Sequence, residues 1–300
     1  MAWNGANDAR PSVRIASLAP ALQRTERRVA EAIAQDRGRA VELTAQELAE
    51  WVGVGRTTVI RAAQSLGYEG YPQLRVALVQ ELALETASAA ASVAAGVRVA
   101  GSAPNTDTSA LGVLRSRVAQ VAARLGDTTS ALTADSVETF LATLDSAARV
   151  LVVANGLSGP LGLALVMRLN AAGRSVEYFT DPLAQQIAAR QLGAGSACIV
   201  FSGSGANRQT LDTMESARES GATVIAFTSF ARSAVVELAD TVLVVPPIND
   251  SFSDELIHTS RAALMLLSEE LVDLFVERRG ERGVEARAAA LAVLASAIKE

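Results

Sequence analysis

The 300-residue chain contains one cysteine (Cys198), one histidine (His258) and one lysine (Lys299). A single cysteine excludes an internal disulfide framework, and with one histidine it cannot build a Cys/His zinc cage. The lone histidine also leaves a hydrolase triad little to draw on. No Gly-x-x-x-x-Gly-Lys-Ser/Thr run is present, which argues against a P-loop nucleotide site. No apolar run reaches the ~18–20 residues of a membrane span, and the N-terminus lacks the apolar core of a secretion signal. The expectation is a cytoplasmic chain with no membrane partner, no metal and no cofactor. A net charge of −5 does not mark a nucleic-acid binder, although phosphates respond to a local basic face rather than to a total.

Against these absences, half the residues are hydrophobic and a fifth are charged, enough for a sizeable core in one or two domains. Cys198 falls in an apolar strand pattern and reads as a buried structural thiol. The most informative stretch is 150–207. Val150-Leu151-Val152-Val153-Ala154 breaks into Asn155-Gly156-Leu157-Ser158-Gly159, and Ile199-Val200-Phe201 breaks into Ser202-Gly203-Ser204-Gly205-Ala206-Asn207. Each is a buried strand ending in a Gly/Ser turn that opens a helix. Glycine lets backbone approach a ligand, the helix start offers free N–H groups and serine adds donors, so the pair suits a small phosphate ester. Ordinary turn chemistry explains one such turn equally well; two turns favour a site.

Around them the pattern alternates. Strands are expected at 149–154, 175–179, 197–201, 222–227 and 241–245, with helices at 158–172, 183–192, 206–220 and 232–239 between them. Near-continuous apolar strands joined by crossover helices predict a five-stranded parallel, doubly wound sheet of flavodoxin-like order 2-1-3-4-5. Its switch point lies between the first and third strands, where both turns fall. Helices at 111–144 precede the sheet, with a stripe of Leu111, Leu114, Val118, Val121 and Leu125 and a cap at Asp135. They suit sheet cover or subunit contact. A long helix is expected at 254–276, and an amphipathic one over Val284–Ile298 that docks on its own domain or on another subunit.

The N-terminal part is all-helical. Residues 1–18 read as a flexible arm in which Arg10 and Arg14 are either uncommitted or brush a phosphate backbone. Thr25 is placed to cap a first helix. Thr44 with Glu47 forms a capping-box signature for a short second helix ending at Gly53, and a third runs from Gly55 to Leu66 and stops at Gly67. Ala49, Gly53 and Val59 occupy the small, turn and β-branched slots of a helix-turn-helix. Its second helix would present Arg56, Thr57, Thr58, Arg61 and Gln64 to base edges. The plain alternative is a three-helix packing unit. Residues 1–85 carry ten basic and ten acidic side chains, but the interval 51–80 sets Arg56, Arg61 and Arg75 against Glu69 alone, which favours DNA.

The runs Leu43–Glu50, Val52–Arg61 and Leu66-Gly67-Tyr68-Glu69-Gly70-Tyr71 resemble the N-terminal domain of RpiR/MurR-type bacterial transcriptional regulators. Gly55 stands where that family usually has serine. Residues 149 to about 275 resemble a sugar isomerase (SIS) domain, the effector half of the same regulators. The resemblance implies DNA contacts from Gly55, Arg56, Thr57, Thr58, Arg61 and Gln64. It implies sugar-phosphate contacts from Gly156, Ser158, Ser202, Ser204, Gly205, Asn207 and His258, with Thr228 on the rim. Ala154 replaces a family glycine and Asn207 a family threonine. Ser260-Arg261 resembles the Ser-Arg that regulators carry at the start of the long helix.

The expected organisation is a helix-turn-helix domain over 1–85, a linker over 86–108, a SIS domain over 109–280 and a C-terminal helix over 281–300. The expected partners are operator DNA, a sugar-phosphate effector and further copies of the chain, as homodimer or homotetramer. The rival is a sugar-phosphate isomerase with a helical appendage. It would need a base, for which Glu255 and His258 are candidates; the regulator reading has no catalytic residue.

Overall fold

The computed structural model describes residues 8–94, 109–247 and 261–297. Two compact units emerge. The first holds the described residues up to Ala131; the second holds Leu132–Val245 together with the last two helices.

The first unit is helical: α1 (Pro11–Leu18), α2 (Arg24–Gln35), α3 (Arg37–Glu42), α4 (Ala45–Val52), α5 (Arg56–Ser65), α6 (Tyr71–Ala94) and α7 (Ala110–Leu125). Of the segment 1–18 expected to be a flexible arm, residues 1–7 lie outside the described residues, and Pro11–Leu18 form the largely buried helix α1. Its start is held by buried Glu81 of α6, which accepts from the Ser12 backbone N–H at 3.3 Å and from the Ser12 hydroxyl. Arg37 lies 3.4 Å from the same carboxylate and neutralises it. Arg14 is only 6% exposed; it stacks 4.7 Å from the Tyr68 ring and donates to the Leu66 and Gly67 carbonyls. Those carbonyls end α5 and need donors. Arg14 therefore supports the C-terminal end of α5 from behind, and Arg10 is committed to Asp127 at 3.1 Å.

Two expected caps moved. Helix α2 begins at Arg24 behind Gln23, so Thr25 lies inside the helix, and α3 fills a stretch in which no helix was expected. The α6 helix runs on into the first half of the expected linker. Residues 110–131 pack within the first unit, although the domain pattern put them with the sheet. Most of the α7 stripe is uncovered, with Leu111, Leu114 and Val118 more than half exposed.

In the second unit, α8 (Ala134–Ser146) is capped by Thr133, whose hydroxyl accepts from the Ser136 N–H at 3.1 Å; the expected Asp135 is the second residue of the helix, within its first turn. The strands are β1 (Val150–Ala154), β2 (Glu177–Tyr178), β3 (Ala197–Phe201), β4 (Thr223–Thr228) and β5 (Thr241–Val244). All pair in parallel in the order β2-β1-β3-β4-β5. Crossovers are α9 (Gly159–Ala171), α10 (Pro182–Arg190), α11 (Arg208–Glu219) and α12 (Ala234–Leu238), and the chain closes with α13 (Ala262–Arg278) and α14 (Glu281–Ala297).

Both faces of the sheet are covered, which is why its central strands are apolar throughout. One face packs Leu151, Val153, Cys198, Val200, Val224 and Ala226 against Ala189, Met214, Ala217 and Val235 of α10, α11 and α12. On the other, Phe227 stacks on Phe201 at 4.7 Å and meets the edge of Phe140 from α8 at 5.5 Å. Gly162 brings α9 close to the sheet, since a Cβ there would stand 2.7 Å from that of Ala154. Cys198 is fully buried, and burial pushes its thiol up to about 12.

Candidate functional site

In the first unit the helix-turn-helix is built from its capping chemistry. Thr44 accepts from the Glu47 N–H at 3.3 Å, and Glu47 accepts from the Thr44 N–H at 2.7 Å, closing the capping box on α4. These bonds, the backbone one first, hold the Glu47 carboxyl below its ordinary range. The α4 helix ends at Gly53 with φ +70°, and the Val54 N–H donates back to Ala49 at 2.9 Å. Arg28 adds a bond to the Val52 carbonyl at 2.6 Å.

Gly55 then caps α5 with no side chain to donate or accept, leaving the first N–H groups of that helix open to an anion. Val59, Ala62 and Ala63 bury the inner face. Arg56, Thr57, Arg61 and Gln64 stand exposed on the opposite one, with Thr58 half-buried beside them. Gln64 reaches its own following turn, donating to the Glu69 carbonyl at 3.4 Å.

In the second unit the two Gly/Ser turns lie side by side because Ala154 and Phe201, the last residues of β1 and β3, are register partners. A polar chain ties them. Asn155 donates to the Thr210 hydroxyl at 3.0 Å, and Asn207 accepts from the Thr210 hydroxyl at 3.2 Å and from its N–H at 3.1 Å. Asn207 is therefore the cap of α11, its oxygen turned inward; the amide expected to serve a phosphate is committed on its carbonyl side.

In the first turn Gly156 has φ +57°, and Ser158, 4% exposed at the start of α9, makes no capping bond with its side chain. In the second, Ser202 is 3% exposed and its hydroxyl has no hydrogen-bond partner among the described residues. Ser204 is half-buried. Gly205 adopts φ +67°, packed so closely that a Cβ would overlap Ser233. Thr228, expected on the rim, is wholly buried, its hydroxyl accepting from the Phe230 N–H at 3.4 Å. It lies beneath Gly205, 3.1 Å from where a Cβ would stand, and supports the loop from inside. Neither turn carries a carboxylate. The Arg261 guanidinium, arriving just before α13, rests so closely on Gly203 that any side chain there would overlap it. The expected contacts Glu255 and His258 lie outside the described residues.

Two family models match: the rpiR-family helix-turn-helix domain over residues 12–85 and the SIS domain over 143–271. The chain is 26% identical over 267 residues to the HTH-type transcriptional regulator HexR of Pseudomonas aeruginosa, covering 89% of each. It is 25% identical to an HTH-type transcriptional regulator of Haemophilus influenzae, covering 85% of this chain and 86% of that one. This is an RpiR-type transcriptional regulator.

Among solved structures, the regulator is similar in fold to the Vibrio vulnificus NanR protein complexed with ManNAc-6P. The TM-score is 0.57 at 19% identity, over 97% of this chain and 100% of that one. The sugar isomerase domain of an RpiR transcription factor from Sphaerobacter thermophilus matches with a TM-score of 0.52 at 21% identity, over 58% of this chain and 95% of that one. No described helix of the regulator is long and apolar enough to cross a membrane. Two features of its site, Asn155 and Thr210, carry no signal of their own in the sequence, whereas Arg261 was already marked by the Ser260-Arg261 resemblance. Asn155 and Thr210 look like turn and helix filler in sequence, and what the sequence did not show is that Arg261 comes to rest on Gly203, 58 positions before it.

Proposed function

We propose that the regulator binds a two-half-site operator through α5 of each copy, and that a phosphorylated sugar held by the two turns alters that binding. Residues 1–85 would read DNA, 109–280 sense the effector, and 281–300 join copies into a dimer or tetramer in the cytoplasm. Arg56, Thr57, Thr58, Arg61 and Gln64 face the major groove, and the open N–H groups beside Gly55 receive a backbone phosphate.

The observation that carries the effector reading is the buried, unpartnered Ser202 hydroxyl in a turn without carboxylates. A buried hydroxyl left unsatisfied costs about 1–3 kcal/mol, so such a group fits a ligand oxygen. Ser158, Ser204 and the backbone at Gly156 belong to the same pair of turns, and the Arg261 guanidinium rests on Gly203 beside them. Asn207 contributes by fixing the α11 start rather than by touching the phosphate. The NanR complex with ManNAc-6P supports a sugar phosphate as the ligand class. The turns offer donors but no base, which favours sensing over isomerisation.

For the test, operator binding and ligand-induced melting shifts are measured on the same variants. Arg56→Ala and Arg61→Ala weaken operator binding at least tenfold and leave the shift intact. Ser204→Ala loses the shift, a charge-assisted bond being worth roughly 1.5–3 kcal/mol, and keeps basal DNA binding. Turnover of a sugar phosphate into its ketose or aldose isomer by the wild type would overturn the assignment.

A further inference from the structure

The two Gly/Ser turns are held in place unequally. Three backbone bonds tie the second to β4 and the chain that follows it. The Ser202 N–H donates to the Phe227 carbonyl at 2.9 Å, the Gly203 carbonyl accepts from the Ser229 N–H at 3.1 Å, and the Gly205 carbonyl accepts from the Val235 N–H of α12 at 3.1 Å. The first turn has no such frame. Its backbone closes on itself, the Ser158 N–H donating to the Asn155 carbonyl at 3.1 Å, and a Cβ on Gly156 would meet nothing within 4 Å. Beyond the turn and the α9 helix it opens, residues 155–158 make one hydrogen bond among the described residues, from the Asn155 amide to the Thr210 hydroxyl at 3.0 Å.

The direction of that bond is set by α11. Asn207 caps the helix, so its side-chain oxygen accepts, from the Thr210 N–H at 3.1 Å and from the Thr210 hydroxyl at 3.2 Å. A threonine hydroxyl has one proton, and this one goes to Asn207. The Thr210 oxygen is left as an acceptor, and Asn155 meets it with its NH2 group. Thr210 is 1% exposed, so water does not compete for the bond. The cap of α11 would be complete without Asn155. The bond from Asn155 therefore does something else: it joins the loosely held turn to the firmly held one.

We propose that Thr210 is a positioning residue for ligand selection, a strut that sets the first turn against the second; the inference rests on the proposed effector reading of the two turns. Charge divides the work between them. The Arg261 guanidinium rests on Gly203, and the Ser202 hydroxyl, without a partner among the described residues, belongs to the same turn, so an anionic group is held there. From Asn155 to Gly159 there is no charged residue, and the amide, hydroxyl and backbone N–H groups of that turn suit the neutral hydroxyls of a sugar. A bare phosphate needs the second turn only. A sugar phosphate engages both, and its added affinity depends on the first turn being held in place before it binds.

Melting shifts of the full-length chain with inorganic phosphate, ManNAc-6P and other hexose phosphates test it, followed by titration of the sugar phosphate that shifts the wild type most. Thr210→Val keeps the side-chain shape and removes the hydroxyl, whereas Asn155→Ala breaks the strut and leaves the α11 cap intact. Each is expected to weaken sugar-phosphate binding about three- to tenfold, the range of one net hydrogen bond, and to leave the inorganic-phosphate shift unchanged. The double variant is expected to lose less than the product of the two factors, because both changes remove the same bond. Thr210→Ser is expected to restore wild-type affinity. Full sugar-phosphate affinity in Asn155→Ala overturns the strut, since Thr210 would then serve the cap alone. An equal loss of the inorganic-phosphate shift in Thr210→Val overturns it too, by showing general damage to the second turn. A wild type that responds to no sugar phosphate overturns the effector reading and the strut with it; a wild-type response that both variants retain overturns the strut alone.

Discussion

Ser202 and Cys198 are both buried polar side chains of the sheet, four residues apart, yet they have opposite prospects. The Cys198 thiol sits inside β3 among aliphatic side chains, and burial holds its proton to about 12. It should not react with an aromatic disulfide reagent at pH 8 until the protein unfolds; rapid labelling of the folded chain would contradict its placement. The sign for stability follows from the same shift. Above the thiol's ordinary value of 9 the unfolded chain releases a proton that the folded chain keeps, so stability falls as pH rises between about 9 and 12. Tyr68 and Tyr71, also raised to about 12 mainly by burial, add to this loss above pH 10. The Ser202 hydroxyl instead sits at the end of its strand with no partner. Ser202→Ala should leave the ligand-free melting temperature unchanged or slightly higher, because an orphaned polar atom is removed. It should also abolish the sugar-phosphate shift. A clear destabilisation without ligand would show that Ser202 serves the fold rather than the site.

At the scale of elements, both functional regions depend on how helices begin and end. The α4 helix is closed by the Thr44–Glu47 box at one end and by Gly53 at φ +70° at the other. Thr44→Ala should cost about 1 kcal/mol in chemical denaturation and lower operator affinity by loosening the turn before α5. The second Gly/Ser turn depends on Gly205, which adopts φ +67° and is packed on Ser233. Gly205→Ala meets both penalties and should abolish the ligand response with a measurable loss of stability, whereas Gly55→Ser, whose surroundings are open, should be tolerated. These endings were legible from sequence because glycine at a helix stop and threonine before a glutamate are local signals. Thr25 and Asp135 misled for the same reason. Each is a good capping residue, but the observed caps are Gln23 and Thr133, two positions earlier in both cases.

For the whole molecule, regulation requires that the effector bind one arrangement of the regulator better than another. Linkage makes this measurable in both directions: if a sugar phosphate changes operator affinity by some factor, operator DNA must change sugar-phosphate affinity by the same factor. Calorimetric titrations of ligand into the free and the operator-bound protein are expected to return that equality. Equal ligand affinity in the two states would leave the turns a binding site without a regulatory role.

The sequence by itself determined the two-part organisation, the strand order and the location of both Gly/Ser turns. Each of these follows from periodicity and from glycine, serine and capping residues acting over a few positions. Tertiary structure decided what depends on distant contacts. Arg14 became a buried support for α5 because Glu81 and Tyr68 order the first helix. Asn207 became a cap because Thr210 and Asn155 claim its oxygen's neighbourhood. Thr228 went beneath the loop, Arg261 came to rest on Gly203, and α14 was left uncovered. Such outcomes turn on which side chains meet across the fold, and no local pattern encodes that meeting.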